Sequence, residues 1–377
     1  MPRTQPQAID RSLLGMDEPA LIALLARHGQ PTFRARQLFH ALYRDRKTSL
    51  DEISTLSKTL RAKLAEEDHG FSHPHLLKRF RSVDGTVRYL FAFPDGNSVE
   101  TVWMPEGDGG ETGDGTEAGT ENTKEEGKEK RRRATICISS QVGCAVGCKF
   151  CLTAQLGLQR NLTAGEIVGQ VLAVLNDHDV DLRKERMNLV FMGQGEPFHN
   201  YDNFIVAARL LVAGVGIAES RMTVSTSGIV PRIVDLGREA VRPKLAISLN
   251  AASDAVRSRI MPINRKWSIA DLIKAADKFP LRRKEKVTFE YVLLAGETDS
   301  KEQAGKLIRL LAPVRDRAKI NLIAWNPGPD VPFHMPERSS VLAFQKALVE
   351  AGIPAFIRRP RGRDIYAACG QLKRTVA

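Results

Sequence analysis

Ala134-Thr135-Ile136-Cys137-Ile138, followed by Ser139-Ser140-Gln141-Val142-Gly143-Cys144-Ala145-Val146-Gly147-Cys148-Lys149-Phe150-Cys151, is the stretch that decides the fold. The short β-branched run reads as a strand. The three cysteines behind it, spaced by three and then two residues, read as one tight loop. Further runs of this kind recur at 188–192, 222–225, 244–249, 286–294 and 319–325, with another apolar run at 354–357. Helical patterns at 163–176, 201–213, 268–278, 301–311 and 337–351 lie between or after them. Such alternation implies parallel βα units. About six units are visible, fewer than the eight of a closed barrel. The expectation is an α/β fold with a curved, partial (βα)6 TIM-like barrel over 134–377; a flat doubly wound sheet is the alternative. In a barrel the cysteine loop lies at the C-terminal end of a strand, where such folds build active sites.

Upstream, residues 1–82 read as a helical accessory domain. Ala35, Leu38, Phe39 and Leu42 make one apolar face at helical spacing. Ser57 is placed to cap a second helix carrying Leu60 and Leu64. Arg34, Arg36, Arg44 and Arg46 lie among these positions, which suits a docking module for RNA as well as a structural extension. Residues 83–104 read as a β-hairpin: Val87, Tyr89 and Phe91 alternate on one arm, Pro94-Asp95-Gly96-Asn97 supplies turn chemistry, and Val99 to Trp103 returns. Residues 105–133 are rich in Gly, Glu, Asp and Thr, and read as a disordered acidic insertion. Deleting 107–129 is expected to leave activity largely intact, as activity assays on the deletion would show.

The chain of 377 residues has a formal net charge of +12. Residues 106–130 carry nine Asp/Glu against three Lys, a local −6, so the remainder carries +18. An excess of that size suits a phosphate backbone. No run of about 18 apolar residues is present, so no membrane-spanning helix is expected. The first residues lack an export pattern, which points to the cytoplasm. Five cysteines, an odd and small number, argue against a disulfide framework.

Thiolates suit zinc and iron–sulfur clusters alike. A structural zinc site takes four ligands, and after Cys151 the next cysteine is Cys369. Three cysteines on a [4Fe–4S] cluster leave one iron open for a cofactor or substrate, with Phe150 as an aromatic shield. A zinc site completed by a distant ligand and three merely structural cysteines are the rival readings. The other strand ends carry Gly193-Gln194-Gly195-Glu196-Pro197, Ser225-Thr226-Ser227-Gly228, Ser248-Leu249-Asn250 and Asn326-Pro327-Gly328. Turns favour these residues anyway. Their recurrence at four strand ends beside the cysteine loop describes a polar pocket for a zwitterionic cofactor, in which Glu196 could pair with an ammonium group.

With Val99-Glu100-Thr101, Cys137 to Cys144, the strand-end motifs and Ala367-Ala368-Cys369-Gly370-Gln371-Leu372 in view, the sequence from roughly Phe33 to Leu372 resembles the RlmN/Cfr group of radical S-adenosylmethionine (SAM) RNA adenine methyltransferases, its RlmN branch most closely. The resemblance implies a [4Fe–4S] cluster on Cys144, Cys148 and Cys151, and SAM, two per turnover. It implies SAM contacts at Gly195, Glu196, Ser225, Ser248, Leu249, Asn250 and Asn326. It further implies that Cys369 carries the methyl group, that Cys137 frees the product through a transient disulfide, and that Glu100 accepts a proton. The implied substrates are one adenine of 23S rRNA and the adenine beside the anticodon of certain tRNAs, methylated at C2, or at C8 in the Cfr branch. An electron donor such as flavodoxin or ferredoxin and a monomeric chain complete the expectation.

From the residues alone, Cys137 reads as strand core, Glu100 as an exposed hairpin carboxylate, and Cys369 as a structural cysteine, although Arg358, Arg359, Arg361 and Arg363 precede it. The group commonly has His where Asn250 stands and Met where Gln194 stands. A zinc-stabilised RNA-binding protein without catalysis is the reading from another class, and metal analysis separates it.

Overall fold

The computed structural model describes residues 12–71, 73–105, 111–112 and 133–373; the expectation for the acidic insertion thus falls almost entirely outside the described residues. Three N-terminal helices span Glu18–Ala26, Thr32–Tyr43 and Lys58–Glu66. The side chain of Asp17 accepts from the Ala20 amide and that of Ser57 from the Leu60 amide, so each caps its helix. Ala35, Leu38, Phe39 and Leu42 are buried, as their spacing requires.

This region sits tightly on the rest of the chain. A Cβ on Gly165 would stand 2.0 Å from the Leu14 carbonyl oxygen, and one on Gly214 would stand 2.7 Å from Cβ of Tyr43. Arg46 donates to the Val180 carbonyl at 2.9 Å.

Next comes an antiparallel meander, β1 (His75–Arg81), β2 (Val87–Ala92) and β3 (Ser98–Pro105). The hairpin expected from sequence is β2–β3. β1 is a third arm, lying in the stretch read as helical. It is an edge strand with almost every residue exposed, so it carries no apolar alternation to read. A two-residue strand, β4 (Glu111–Thr112), lies at the far edge of the sheet.

The parallel series is β5 (Arg133–Cys137), β8 (Arg186–Phe191), β9 (Met222–Thr226), β10 (Lys244–Ser248), β11 (Val287–Leu293), β12 (Ala318–Ala324) and β13 (Ala355–Arg358). Between β5 and β8 stands a small antiparallel hairpin, β6 (Gln141–Gly143) with β7 (Leu158–Asn161). The apolar run at 354–357 thus adds a seventh parallel strand. The sheet stays open, because β5 also pairs with β3 and β13 with β4. All seven residues of β11 are buried, as in a strand covered on both faces. Helices such as Ala164–Asp177, Ile269–Lys278 and Arg338–Glu350 cover the outside.

One cavity is lined from the cysteine loop and from β8, β9, β10, β11 and β12, or the residues just beyond them. A flat doubly wound sheet offers its crevice at one switch point. Convergence of this many strands on one cavity needs a curled sheet, so the partial barrel stands and the flat alternative falls.

Candidate active site

The cysteine loop starts where β6 and β7 pair. Gly143 has φ +80°, and a Cβ there would stand 1.7 Å from the Gly157 carbonyl oxygen. Only glycine fits, and the Cys144 amide then donates to that same carbonyl at 3.0 Å. Further bonds pin the loop: Lys149 N–H to the Ile260 carbonyl at 2.9 Å and Trp325 Nε1–H to the Phe150 carbonyl at 3.0 Å. Cys144, Cys148, Cys151 and Phe150 all line the cavity, whose volume is about 170 Å³. Burial pushes the Cys144 thiol up to about 12, and it likewise raises Cys148 and Cys151, with the neighbouring cysteines adding to the shift at Cys148.

Gly195, Glu196, Ser225, Ser248, Asn250 and Asn326 line the same cavity. Gly195 (φ +101°) passes so close to Gln141 that a Cβ would meet its Cβ at 2.6 Å. Glu196 is buried; one carboxylate oxygen accepts from the Phe198 amide at 3.0 Å and the other from the Ser227 amide at 2.6 Å. Asn250 takes a left-handed backbone (φ +59°), which Asn tolerates better than most residues. Its side chain is already engaged: Nδ2 donates to Met261 Sδ at 3.2 Å, and Oδ1 accepts from the Val292 amide at 3.0 Å. Leu249 is buried outside the lining, with its amide on the Glu290 carbonyl and its carbonyl on Arg257. Among the described residues, Asn326 Oδ1 and Ser227 Oγ are buried at this wall without a hydrogen-bond partner. Such groups call for a partner, and a bound polar ligand supplies one.

Two residues of this site escape the sequence reading. Glu290, on β11, lines the cavity and accepts from Ser225 Oγ at 2.6 Å and Ser248 Oγ at 3.4 Å. Burial raises its carboxyl pKa, while these two bonds pull it back. The available signal was a lone carboxylate inside the apolar run Val287 to Leu293. Arg257 lies fully buried and donates to the carbonyls of Leu249 (2.9 Å), Ser248 (2.9 Å) and Ser227 (2.7 Å), and to Asn264 Oδ1 (2.9 Å). Burial pulls its guanidinium down to about 10, so it stays charged at neutral pH.

Cys369 lines the cavity too. The chain that carries it is tied to the cysteine loop, by Leu152 N–H to the Gly370 carbonyl at 2.8 Å and Thr153 Oγ1 to the Leu372 carbonyl at 2.8 Å. Desolvation and then Glu290 raise the Cys369 thiol pKa, while Arg358 opposes them. Cys137 ends β5 outside the lining, and its pKa is raised by burial first and by Cys369 second. Cys369 is thus close enough to act on the Cys137 thiol. Glu100 is fully buried on β3, where the sequence suggested an exposed carboxylate, and it is ion-paired with equally buried Arg88. It does not line the cavity; its backbone reaches the site through Gln194 Oε1 (3.3 Å) and Ser139 Oγ (2.6 Å).

Cys144, Cys148 and Cys151 line one cavity beside the unpaired Asn326 Oδ1 and Ser227 Oγ, and three thiols next to unpaired polar atoms fit a four-iron cluster with a polar cofactor beside it.

Two family models match the chain: the Radical SAM superfamily over residues 138–308, and the ribosomal RNA large subunit methyltransferase N-terminal domain over residues 11–69. A probable dual-specificity RNA methyltransferase RlmN of Koribacter versatilis is 61% identical over 351 residues, 93% of this chain and 98% of that one. The dual-specificity RNA methyltransferase RlmN of Rhodospirillum rubrum is 42% identical, over 96% of this chain and 80% of its own. The crystal structure of a radical SAM methyltransferase from Sphaerobacter thermophilus superposes with a TM-score of 0.85 at 40% identity, covering 97% of this chain and 99% of that one.

Proposed function

The chain belongs to the RlmN family of dual-specificity RNA methyltransferases within the radical SAM superfamily, and on that premise we propose that it methylates C2 of one adenine in 23S rRNA and of the adenine beside the anticodon in tRNA. Superfamily membership implies a [4Fe–4S] cluster and SAM. One observation carries the finer reading: Cys369 shares a cavity with the three-cysteine loop, and it is near enough to Cys137 to raise that thiol's pKa.

An adenine ring carbon is not nucleophilic, so direct methyl transfer from SAM to it fails and radical chemistry is required. In this reading Cys144, Cys148 and Cys151 hold the cluster, which when bound supplies the electron for reductive cleavage of SAM. Gly195, Glu196, Ser225, Ser248, Leu249, Asn250 and Asn326 hold SAM, Leu249 by its backbone. Glu196, fixed by two backbone amides, is the partner for an ammonium group. The Cys369 sulfur takes a methyl group from one SAM, giving a thioether and releasing S-adenosylhomocysteine. Reductive cleavage of a second SAM would release methionine and 5′-deoxyadenosine, the latter carrying a hydrogen atom taken from that methyl group, and the carbon left on the Cys369 sulfur joins the adenine. Glu100 accepts the proton displaced from the ring as the adduct gives one electron back. Cys137 then attacks the Cys369 sulfur as a thiolate; a disulfide forms, the carbon–sulfur bond breaks, the carbon takes up a proton and the methylated base leaves, and two electrons from the donor reduce the disulfide. Its strand pairs with β5 next to Cys137, with Val102 opposite Cys137.

Adenine reaches the cavity only when unstacked. Arg358, close enough to Cys369 to act on its ionisation, leads the basic segment that would hold RNA phosphate there. A flavodoxin or ferredoxin as electron donor, a monomeric chain and a cytoplasmic setting complete the proposal.

The test uses C137A, which keeps the methyl carrier and removes the release step. Incubated with SAM, reductant and rRNA, it should accumulate a covalent RNA–protein adduct through Cys369, and wild-type product should be 2-methyladenosine by mass spectrometry. Absence of an adduct refutes the role of Cys137; 8-methyladenosine moves the assignment to the other ring carbon.

A further inference from the structure

The mechanism leaves one buried carboxyl group of the cavity unused. Glu290 stands in the middle of β11, and its side chain and backbone both serve the cofactor wall. Its Oε2 accepts from Ser225 Oγ at 2.6 Å and from Ser248 Oγ at 3.4 Å, and the two serine oxygens are 3.2 Å apart. Its carbonyl accepts from the Leu249 amide at 3.0 Å and the Asn250 amide at 3.2 Å. One residue thus organises four positions to which the proposed function assigns SAM contacts. The hydrogen-bond polarity follows. The Ser225 hydroxyl spends its proton on the carboxylate at 2.6 Å and keeps its lone pairs for a partner, while Ser248 stands within reach of both Glu290 and Ser225. The wall therefore presents acceptors and, with Glu196, two carboxyl groups.

We infer that Glu290 is a specificity-determining positioning residue, which turns Ser225 into an acceptor and makes the cavity favour the cationic sulfonium of SAM over the neutral thioether of S-adenosylhomocysteine. The inference rests on the SAM-binding reading of this cavity. A buried carboxylate attracts a cation more strongly than water allows, and at an effective dielectric of about 40 and a separation of about 6 Å one unit charge is worth on the order of tenfold in affinity. A neutral thioether gains none of this. The discrimination suits an enzyme that turns SAM into S-adenosylhomocysteine at the same site, because it helps the spent cofactor leave.

The measurement is binding, by calorimetry on anaerobically reconstituted protein, of SAM and of S-adenosylhomocysteine to the wild type and to E290Q. Glutamine keeps the shape and removes the charge. SAM affinity should fall about tenfold in E290Q, and S-adenosylhomocysteine affinity should change less than about threefold. An unchanged ratio of the two affinities overturns the inference. A ligand-side comparison needs no variant. The wild type should bind the dimethylsulfonium derivative of 5′-thioadenosine about tenfold more tightly than neutral 5′-methylthioadenosine, and equal affinities overturn the inference even if E290Q fails to fold. Iron and sulfide content, with SAM binding by the wild type, reports separately on the underlying reading. Wild-type protein that loads a cluster and binds SAM without preferring the sulfonium refutes Glu290 alone; protein that loads no cluster refutes the reading itself.

Discussion

Replacing Arg257 with methionine tests whether one buried guanidinium holds the strand ends in place. The side chain is 0% exposed and serves three backbone carbonyls, those of Ser227, Ser248 and Leu249, and Asn264 Oδ1, all at 2.7 to 2.9 Å. Methionine fills a similar length and donates nothing. Each buried acceptor left unsatisfied costs about 1–3 kcal/mol, and the low end applies where water can enter from the cavity, so the three carbonyls together cost about 3 kcal/mol. Removing a buried charge returns part of its desolvation cost. The net expectation is a loss of about 2 kcal/mol for R257M and a smaller one for R257K, which restores a charged donor. The assay is guanidinium denaturation of cluster-free protein, so that metal binding does not enter the folding equilibrium. The midpoint should fall at unchanged slope, in the order wild type, R257K, R257M. Equal midpoints for R257M and wild type would refute the reasoning, because the strand ends would then hold themselves.

Three further expectations follow from single contacts. G143A forces a methyl group into the Gly157 carbonyl at a residue with φ +80°, so the hairpin must open; iron and sulfide after reconstitution should drop by roughly half or more, and full loading sinks the argument. E100Q leaves Arg88 buried without its anion and should cost about 3 kcal/mol in denaturation, with R88L/E100L recovering most of it; no recovery in the double variant would show that the pair is not the source. Burial works against the charged form of Asp84, but hydrogen bonds from Thr86, Gly362 N–H and Ser82 outweigh it and hold the carboxyl at about 2, below its ordinary 3.8. A carboxyl depressed on folding stabilises the fold above its unfolded pKa and loses that contribution as pH falls through its folded one. The stability gap between wild type and D84N should therefore narrow between about pH 4 and pH 2, and a gap constant across that window contradicts the assignment.

What the sequence disclosed depended on whether a residue's role was local. The cysteine loop and the polar strand ends were legible because spacing alone sets them side by side. The helices of the N-terminal region were legible because Leu38, Phe39 and Leu42 repeat at helical period. Arg257 was not. It shares a seven-residue helix with Arg259, and one is fully buried while the other is exposed at Glu297; no periodicity over two turns separates them. Glu290 was hidden for the opposite reason: a strand buried on both faces has no polar face, so a carboxylate in it breaks no pattern of alternation. Glu100 looked exposed because β2 and β3 read as a free hairpin. β3 is an inner strand, paired with β2 on one side and β5 on the other, and pairing across that distance in sequence leaves no local mark.

The attachment of the C-terminal tail gives the site its logic. The segment around Cys369 is held to the cysteine loop by the bonds of Leu152 N–H and Thr153 Oγ1, and Gln371 Nε2 donates to the Pro327 carbonyl at 2.7 Å beyond β12. From its other side, Asp84 in the β1–β2 turn accepts from the Gly362 amide at 2.9 Å, and Ser82 donates to Asp364 at 2.6 Å. The proposed methyl carrier is therefore located by two distant parts of the chain: the loop proposed to hold the cluster, and the meander that carries Glu100. A sulfur that must meet SAM, an adenine and Cys137 in turn needs both anchors, since the first fixes it against the cofactor cavity and the second fixes the segment leading to it. Loss of either should then degrade the methylation of Cys369 before it degrades the fold. Comparing S-methylation of Cys369 by mass spectrometry in D84N with that in a T153V variant decides the point. Both variants should slow it under native conditions, where each is still folded despite the lower midpoint expected of D84N, and full methylation in both would show that the tail finds its place unaided.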